Sequence, residues 1–347
     1  MKKAVIILFI LLPVLISSVI FAFPDKEISE LENRKLMVRN DISADIKDGG
    51  FQNDIESFLS DQFPYRKKLV LAQNELKYLL GKRDISGAYI CKEGRLVQKI
   101  TEGDINKTAA FSYADKINSI AKNNKVFVML IPSAEITMKN ELPKGAPVYD
   151  FDSLYSELEN RLVNANCIDL KDTFSGDYFY KTDHHWNANG AYRAYNAFCN
   201  AKGEKAETID SFELKTVCND FQGTLYSKTL VVETKDEIRL PKTGELKVTA
   251  DGKKIDFYDF DALKTKDKYN VFEGGNHGIV EIENKDAKSD KTLLILKDSF
   301  ANSFVPYITG DYSKIIMLDE RYTFISVSDY VKMVKPNEIL VLKEIVN

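Results

Sequence analysis

The sequence predicts an α/β fold with a mainly parallel sheet, and three observations predict it. First, four runs are continuously apolar: Val126-Phe127-Val128-Met129-Leu130-Ile131, Leu293-Leu294-Ile295-Leu296, Ile315-Ile316-Met317-Leu318 and Ile339-Leu340-Val341-Leu342. Strands buried on both faces of a parallel sheet read this way, whereas half-exposed strands alternate. Second, amphipathic segments at helical spacing stand between such runs, at 104–123, 151–163, 188–202 and 326–334. Third, 347 residues at 44% hydrophobic content can bury a sizeable core. The net charge of −4 lacks the basic surface of a nucleic-acid binder.

Lys2 and Lys3 precede an uncharged apolar run at residues 4–23. At 1.5 Å per residue, about 20 residues span the roughly 30 Å hydrocarbon core of a bilayer. The lysines favour a cytoplasmic N-terminus and place the bulk of the chain outside. A cleaved signal peptide is the competing reading. Ile20-Phe21-Ala22-Phe23 is bulky where a cleavage site wants small residues, which favours a retained single-pass anchor. Both readings make residues 25–347 extracytoplasmic. Residues 1–24 are thus an anchor or signal, and 25–84 a membrane-proximal helical segment. A main domain follows at 85–347.

Within 25–84, helices are expected from Phe51 up to the interruption at Pro64 and again at 65–80, ending at Gly81. A hairpin is expected at 85–97, turning at Glu93-Gly94. A buried strand follows the 104–123 helix, and a short strand at 167–170 follows the 151–163 helix. Asn187 is placed to cap the helix at 188–202. Residues 211–270 change character, with short strand-like pieces between charged turns, and read as a β-rich insertion or lid. Strands at 278–282 and in the last three apolar runs complete the sheet. The four cysteines, Cys91, Cys167, Cys199 and Cys218, lack metal-ligand spacing; buried thiols and one or two disulfides both fit.

The densest set of proton-transfer groups is Lys181-Thr182-Asp183-His184-His185-Trp186-Asn187, with the only Trp and two of the three His. In an extended segment Asp183 and His185 face one way and His184 the other. A carboxylate beside imidazole fixes its tautomer and stabilises the imidazolium. The matching nucleophile is Ser299, just after the strand ending at Lys297, because sites in open α/β sheets lie at the carboxyl ends of strands. A simple helix cap at Asp298 or Ser299 is the plainer reading of the same residues. In Glu273-Gly274-Gly275-Asn276-His277, Gly275 permits close backbone approach and Asn276 offers an amide donor, which suits an oxyanion; a turn is the alternative. Arg321 and Tyr322 follow another strand end, where Arg321 can meet an anionic substrate group or an active-site carboxylate; a surface ion pair is the plainer reading. Asp183, His184, His185 and His277 are zinc-ligand types, but histidines on opposite sides of an extended chain do not share one ion, so no metal or other cofactor is expected.

Asp-His-His-Trp in this setting resembles the DHHW family of extracytoplasmic bacterial proteins, which is similar to the alginate O-acetylation proteins with their SGNH-hydrolase-like domain. Glu32-Asn33-Arg34, Asp61-Gln62-Phe63-Pro64-Tyr65-Arg66, Leu142-Pro143, Gly274-Gly275-Asn276-His277 and Asp298-Ser299-Phe300 fall in the expected order. The resemblance implies an SGNH-hydrolase-like α/β/α sandwich in which the acid–His pair precedes the nucleophile, a permuted motif order. It implies Asp183 orienting His185, His185 as general base, Ser299 as nucleophile and Asn276 with Gly275 as oxyanion donors. Asp298 departs from the glycine that commonly precedes the serine. The implied activity is an extracytoplasmic O-acetyltransferase or acetylesterase acting on a cell-surface or exported polysaccharide through an acyl-serine. A membrane-bound O-acyltransferase is the implied acetyl donor. The alternative is a non-catalytic glycan-binding or scaffold subunit of a polysaccharide-modification complex.

Overall fold

The computed structural model describes residues 11, 14–15, 17–29, 32–43 and 49–344. Among these no helix is long and apolar enough to cross a membrane. Much of the apolar run at 4–23, including residues 1–10, lies outside the described residues, as does part of the Glu30-to-Arg34 stretch.

The chain divides into two compact units, one of residues 1–85 with 227–231 and one of 86–226 with 232–347. The first holds helices α1 (Gly50–Asp61) and α2 (Arg66–Leu79). Its two polar motifs bind each other. Asp61 accepts from Arg34 Nη1 at 3.0 Å and from the Met37 N–H at 2.9 Å. Arg66 pairs with Glu32.

The second unit begins with an antiparallel hairpin, β1 (Ala88–Ile90) and β2 (Leu96–Gln98). Then come α3 (Lys107–Ala121), β3 (Val126–Ile131), α4 (Phe151–Arg161), β4 (Asn166–Ile168) and α5 (Ala188–Lys202). The β-rich stretch supplies β5 (Lys215–Phe221), β6 (Asp236–Leu240), β7 (Lys247–Ala250) and β8 (Lys253–Ile255). The chain closes with β9 (Ile279–Glu283), β10 (Thr292–Lys297), α6 (Phe300–Phe304), β11 (Lys314–Leu318), α7 (Val327–Val334) and β12 (Glu338–Glu344).

Eight strands form one sheet in the order β8-β7-β9-β11-β10-β12-β3-β4. The five from β11 to β4 are parallel, and β8, β7 and β9 are antiparallel at one edge. The central residues of the long parallel strands are apolar because both faces are covered. Phe127, Met129, Leu293 and Ile295 pack with Ala191, Ala194 and Phe198 of α5 and Phe300 and Phe304 of α6. Val128, Leu294, Leu296 and Val341 pack with Ile117 of α3, Leu154 and Leu158 of α4, and Val327 and Val331 of α7.

The expectation for 211–270 needs correcting, because the stretch is not one insertion. Its second half joins the main sheet. Val248 lies opposite Ile282 across β7 and β9, and Val248, Ala250, Val280 and Ile282 share one core. Only β5 and β6 form a separate antiparallel ribbon. The four cysteines are free thiols, and burial pushes those of Cys91, Cys167 and Cys199 up to about 11.

Candidate active site

The Asp-His-His-Trp stretch is the bend between two short antiparallel contacts. Phe179 bridges Trp186, the Tyr180 N–H donates to the His185 carbonyl (3.1 Å), and the Asn187 N–H donates to the Tyr178 carbonyl (2.8 Å). Asn187 then caps α5, its Oδ1 accepting from the Asn189 and Gly190 N–H groups at 2.9 and 3.2 Å. Trp186 is fully buried, and its indole N–H donates to Ser303 Oγ (2.8 Å) and to the Phe300 carbonyl (3.1 Å). The tryptophan therefore pins the histidine loop to the helix that follows the serine. Trp186→Phe keeps an aromatic ring and removes that donor. It is expected to lower stability by about 1–3 kcal/mol, read by urea unfolding.

Asp183, His185 and Ser299 meet across 114 residues of sequence. His185 Nδ1 lies 2.6 Å from Asp183 Oδ1, and Nε2 lies 2.7 Å from Ser299 Oγ. Asp183 also accepts from the His185 N–H at 3.0 Å and, through Oδ2, from the Thr224 N–H at 2.7 Å. Burial opposes the charge on Asp183. The neighbouring imidazoles and the hydrogen bonds from His185 outweigh that cost and hold the carboxyl well below the usual carboxylate range. Tyr269 covers the imidazole, its ring stacked 4.0 Å from that of His185 at 7°, and its hydroxyl donates to the Ser299 carbonyl at 3.1 Å.

Ser299 is half-buried and stands between β10 and α6. The cap is Asp298. One carboxylate oxygen accepts from the Phe300 N–H (2.9 Å), the other from the Glu344 N–H on neighbouring β12 (2.6 Å). An aspartate before the serine thus ties the serine's turn to the adjacent strand, which a glycine would not do.

The rest of the site was hidden in the sequence. Asp236, at the start of β6, accepts from the Lys181 N–H (2.8 Å), the Thr182 N–H (2.8 Å) and the Thr182 hydroxyl (2.6 Å). Gly223 abuts the acid, since a Cβ there would lie 2.2 Å from Asp183 Oδ2. The stretch after β5 is therefore the wall behind the acid rather than a lid over the serine. Backbone donors and a glycine carry no residue-type signal, and only a Thr-Asp pairing distant in sequence could have hinted at it.

His184 departs from the extended-chain expectation. Residues 181–185 are bends, so alternation does not apply, and the His184 ring lies 3.9 Å from that of His185. One donor atom from each of Asp183, His184 and His185 falls within 4.8 Å of the others. A cation still fits poorly. His185 already has one nitrogen on Asp183 and the other on Ser299.

Asn276 is exposed and its Oδ1 accepts from Asn302 Nδ2 at 3.3 Å; Gly275 precedes it at φ +114°. His277 holds its own turn, with Nε2 2.9 Å from the Glu273 carbonyl and Nδ1 3.3 Å from Asp251. The Arg321 guanidinium is bound in bidentate fashion by buried Asp319, at 2.9 and 2.7 Å. Its charge is thereby committed within the chain. Tyr322 is exposed, beside that guanidinium.

Residues 122–318 match the family described as DHHW protein, more than half of the chain, and the chain belongs to that family. Similar solved structures include a DHHW family protein from Eubacterium siraeum DSM 15702, at 24% identity and a TM-score of 0.63, covering 75% of this chain and 91% of that one. Bacillus cereus PatB1, in a structure with a sulfonyl adduct, is similar at 22% identity and TM-score 0.63, covering 74% and 94%. The O-acetyltransferase domain of Pseudomonas putida AlgJ is similar at 13% identity and TM-score 0.45, covering 75% and 91%. At these identities the likeness is one of fold. No curated protein matches the chain.

Proposed function

We propose that this member of the DHHW family is an extracytoplasmic O-acetyltransferase or acetylesterase that acts on a cell-surface or exported polysaccharide through an acetyl-Ser299 intermediate. The observation that carries the reading is the continuous contact from Asp183 through His185 to Ser299 Oγ, at 2.6 and 2.7 Å. In this reading the domain is SGNH-hydrolase-like with the acid–His pair ahead of the nucleophile. A membrane-bound O-acyltransferase supplies the acetyl group, and the apolar run at 4–23 keeps the chain at that membrane.

The chemistry has two halves. Ser299 Oγ attacks the acetyl carbonyl while His185 Nε2 takes its proton. The tetrahedral oxyanion is met by the Asn276 amide and the Ser299 N–H. Collapse breaks the bond to the donor, and imidazolium returns the proton to that leaving group. A sugar hydroxyl, or water, then gives its proton to His185 and attacks the acetyl-serine. Collapse releases the acetylated product and restores the serine hydroxyl. Asp183 stabilises the imidazolium in both halves without taking the proton.

The test is acid quench of the full chain during turnover of p-nitrophenyl acetate, followed by peptide mass spectrometry. One acetyl group is expected on the peptide holding Ser299, and none in Ser299→Ala. Adding a polysaccharide acceptor is expected to divert acetyl from water to sugar. Glycan binding with no acetylated serine would return the chain to a binding or scaffold role.

A further inference from the structure

Lys297 is an unusual last residue for a strand buried on both faces. Its side chain is 2% exposed, and the next residue but one is the nucleophile. Its Nζ donates to Asn302 Oδ1. Asn302, also 2% exposed, lies one helical turn beyond Ser299 and sends its N–H to the Ser299 carbonyl at 3.3 Å. Residues three apart share a helix face, so Asn302 sits on the same side of the turn as the serine. Asn302 Nδ2 in turn donates to Asn276 Oδ1.

While Lys297 carries its ammonium, chemistry fixes the direction of this relay. An ammonium has donors only. Asn302 must therefore turn its oxygen toward Lys297 and its NH2 toward Asn276. Asn276 must then present its own oxygen to Asn302. Its two remaining N–H groups have no partner among the described residues, and the side chain is open to solvent. The turn that carries Asn276 is held in a demanding shape, with φ of +52°, +74° and +114° at Glu273, Gly274 and Gly275. Glu273 is buried there without a hydrogen-bond partner for its carboxyl. Burial drives the Lys297 ammonium toward its neutral form, and the acidic neighbours Glu273, Asp319 and Asp298 oppose that.

We propose that Lys297 and Asn302 are positioning residues, which set the polarity of the Asn276 amide so that its N–H groups meet the oxyanion formed at Ser299. This rests on the acetyl-Ser299 reading above. It adds what makes Asn276 a donor rather than an acceptor at the reacting oxygen, the wrong orientation placing a carbonyl against developing negative charge.

Asn302→Asp tests it, because the carboxylate keeps the bond to Lys297 yet cannot donate to Asn276. Steady-state hydrolysis of p-nitrophenyl acetate by the full chain is expected to show kcat lowered about 10- to 100-fold, below or near the 10²–10³ typical of losing an oxyanion donor outright. KM should stay within about twofold, and the thermal midpoint should not fall, since a buried ammonium–carboxylate pair replaces the ammonium–amide bond. Asn276→Ala should lower kcat at least as much, and the double variant should be no worse than Asn276→Ala alone. Lys297→Met, an apolar replacement of similar length, should also lower kcat if Asn302→Asp folds poorly. Wild-type kcat in Asn302→Asp, or multiplying losses in the double variant, would overturn the positioning role while Ser299-dependent turnover kept the acyl-serine reading intact. Wild-type turnover that survives Ser299→Ala unchanged would overturn both.

Discussion

Asp183→Asn is expected to lower kcat for acetyl-ester turnover by about 10⁴, with the fold retained. The size follows from what the carboxylate does at each atom. Oδ1 accepts from both the His185 backbone and the His185 ring, and Oδ2 accepts from the Thr224 N–H. An asparagine must choose. If its oxygen takes the place of Oδ2, its NH2 confronts the imidazole. The ring is then driven to carry its proton on Nε2, the atom that faces Ser299 at 2.7 Å. An Nε2–H is a donor and cannot take the serine proton. If the amide is reversed, the NH2 confronts the Thr224 N–H, and a buried donor loses its acceptor. The first orientation blocks the base; the second leaves Nε2 free but forfeits the Thr224 acceptor and the negative charge that stabilises the imidazolium, while side-chain volume is conserved in both.

The same contacts fix the pH behaviour. Asp183 is held well below the carboxylate range, so it stays ionised at every pH where a neutral imidazole exists. Its stabilising contribution is present above the unfolded-state value and is lost only as pH falls through its depressed folded value. The acid limb of a kcat/KM profile in wild type therefore does not report the titration of Asp183. Comparing pH profiles of wild type and Asp183→Asn checks this. A variant that retains full kcat at neutral pH would remove Asp183 from the mechanism.

Much of this arrangement was legible before any coordinates, for identifiable reasons. The parallel strands announce themselves because burial on both faces disfavours polar residues along their middles, as in Leu293-Leu294-Ile295-Leu296. The acid–imidazole pair includes one of only three histidines, and it and the serine stand at special places, a helix entry and a strand end. What failed were inferences that borrowed geometry from the wrong element. The alternation rule turned His184 away from His185, although the stretch is bent and the rings sit together. The charged turns of 211–270 suggested one peripheral insertion, although β7 and β8 pair into the main sheet by apolar positions such as Val248. For Arg321 the plainer reading, an ion pair, is the one seen, although the sequence does not show that the partner is Asp319 two residues before it. Lys297 carried a readable signal, a lone cation at the end of an otherwise apolar buried strand, whose partners could only be found in three dimensions.

Gly223→Ala is the substitution for which sequence gives no warning and geometry gives a large effect. The backbone there is not in the left-handed region, so the demand for glycine is spatial. An added methyl carbon would sit 2.2 Å from Asp183 Oδ2, 2.4 Å from its Cβ and 2.6 Å from its Cγ. None of these is tolerable, and the obstacle is a short, fully buried side chain rather than a flexible tip. The segment cannot simply retreat, because the Gly223 N–H donates to Thr182 Oγ1 at 3.2 Å and the next N–H holds Asp183 itself. Relief requires Asp183 to swing away from His185. Displacement of a catalytic group by about 1 Å can cost about 100-fold in rate, so kcat should fall by about 10²–10³. Stability should fall as well, since the carboxylate leaves its buried donors. A merely local packing defect makes a different prediction from a displaced acid. If the methyl acts through Asp183, then in an Asp183→Gly background, where the Cβ is removed along with the carboxylate, adding Gly223→Ala should cost little further activity and little further stability. Independent losses in that double variant, or wild-type kcat in Gly223→Ala, would show that the acid does not depend on this wall.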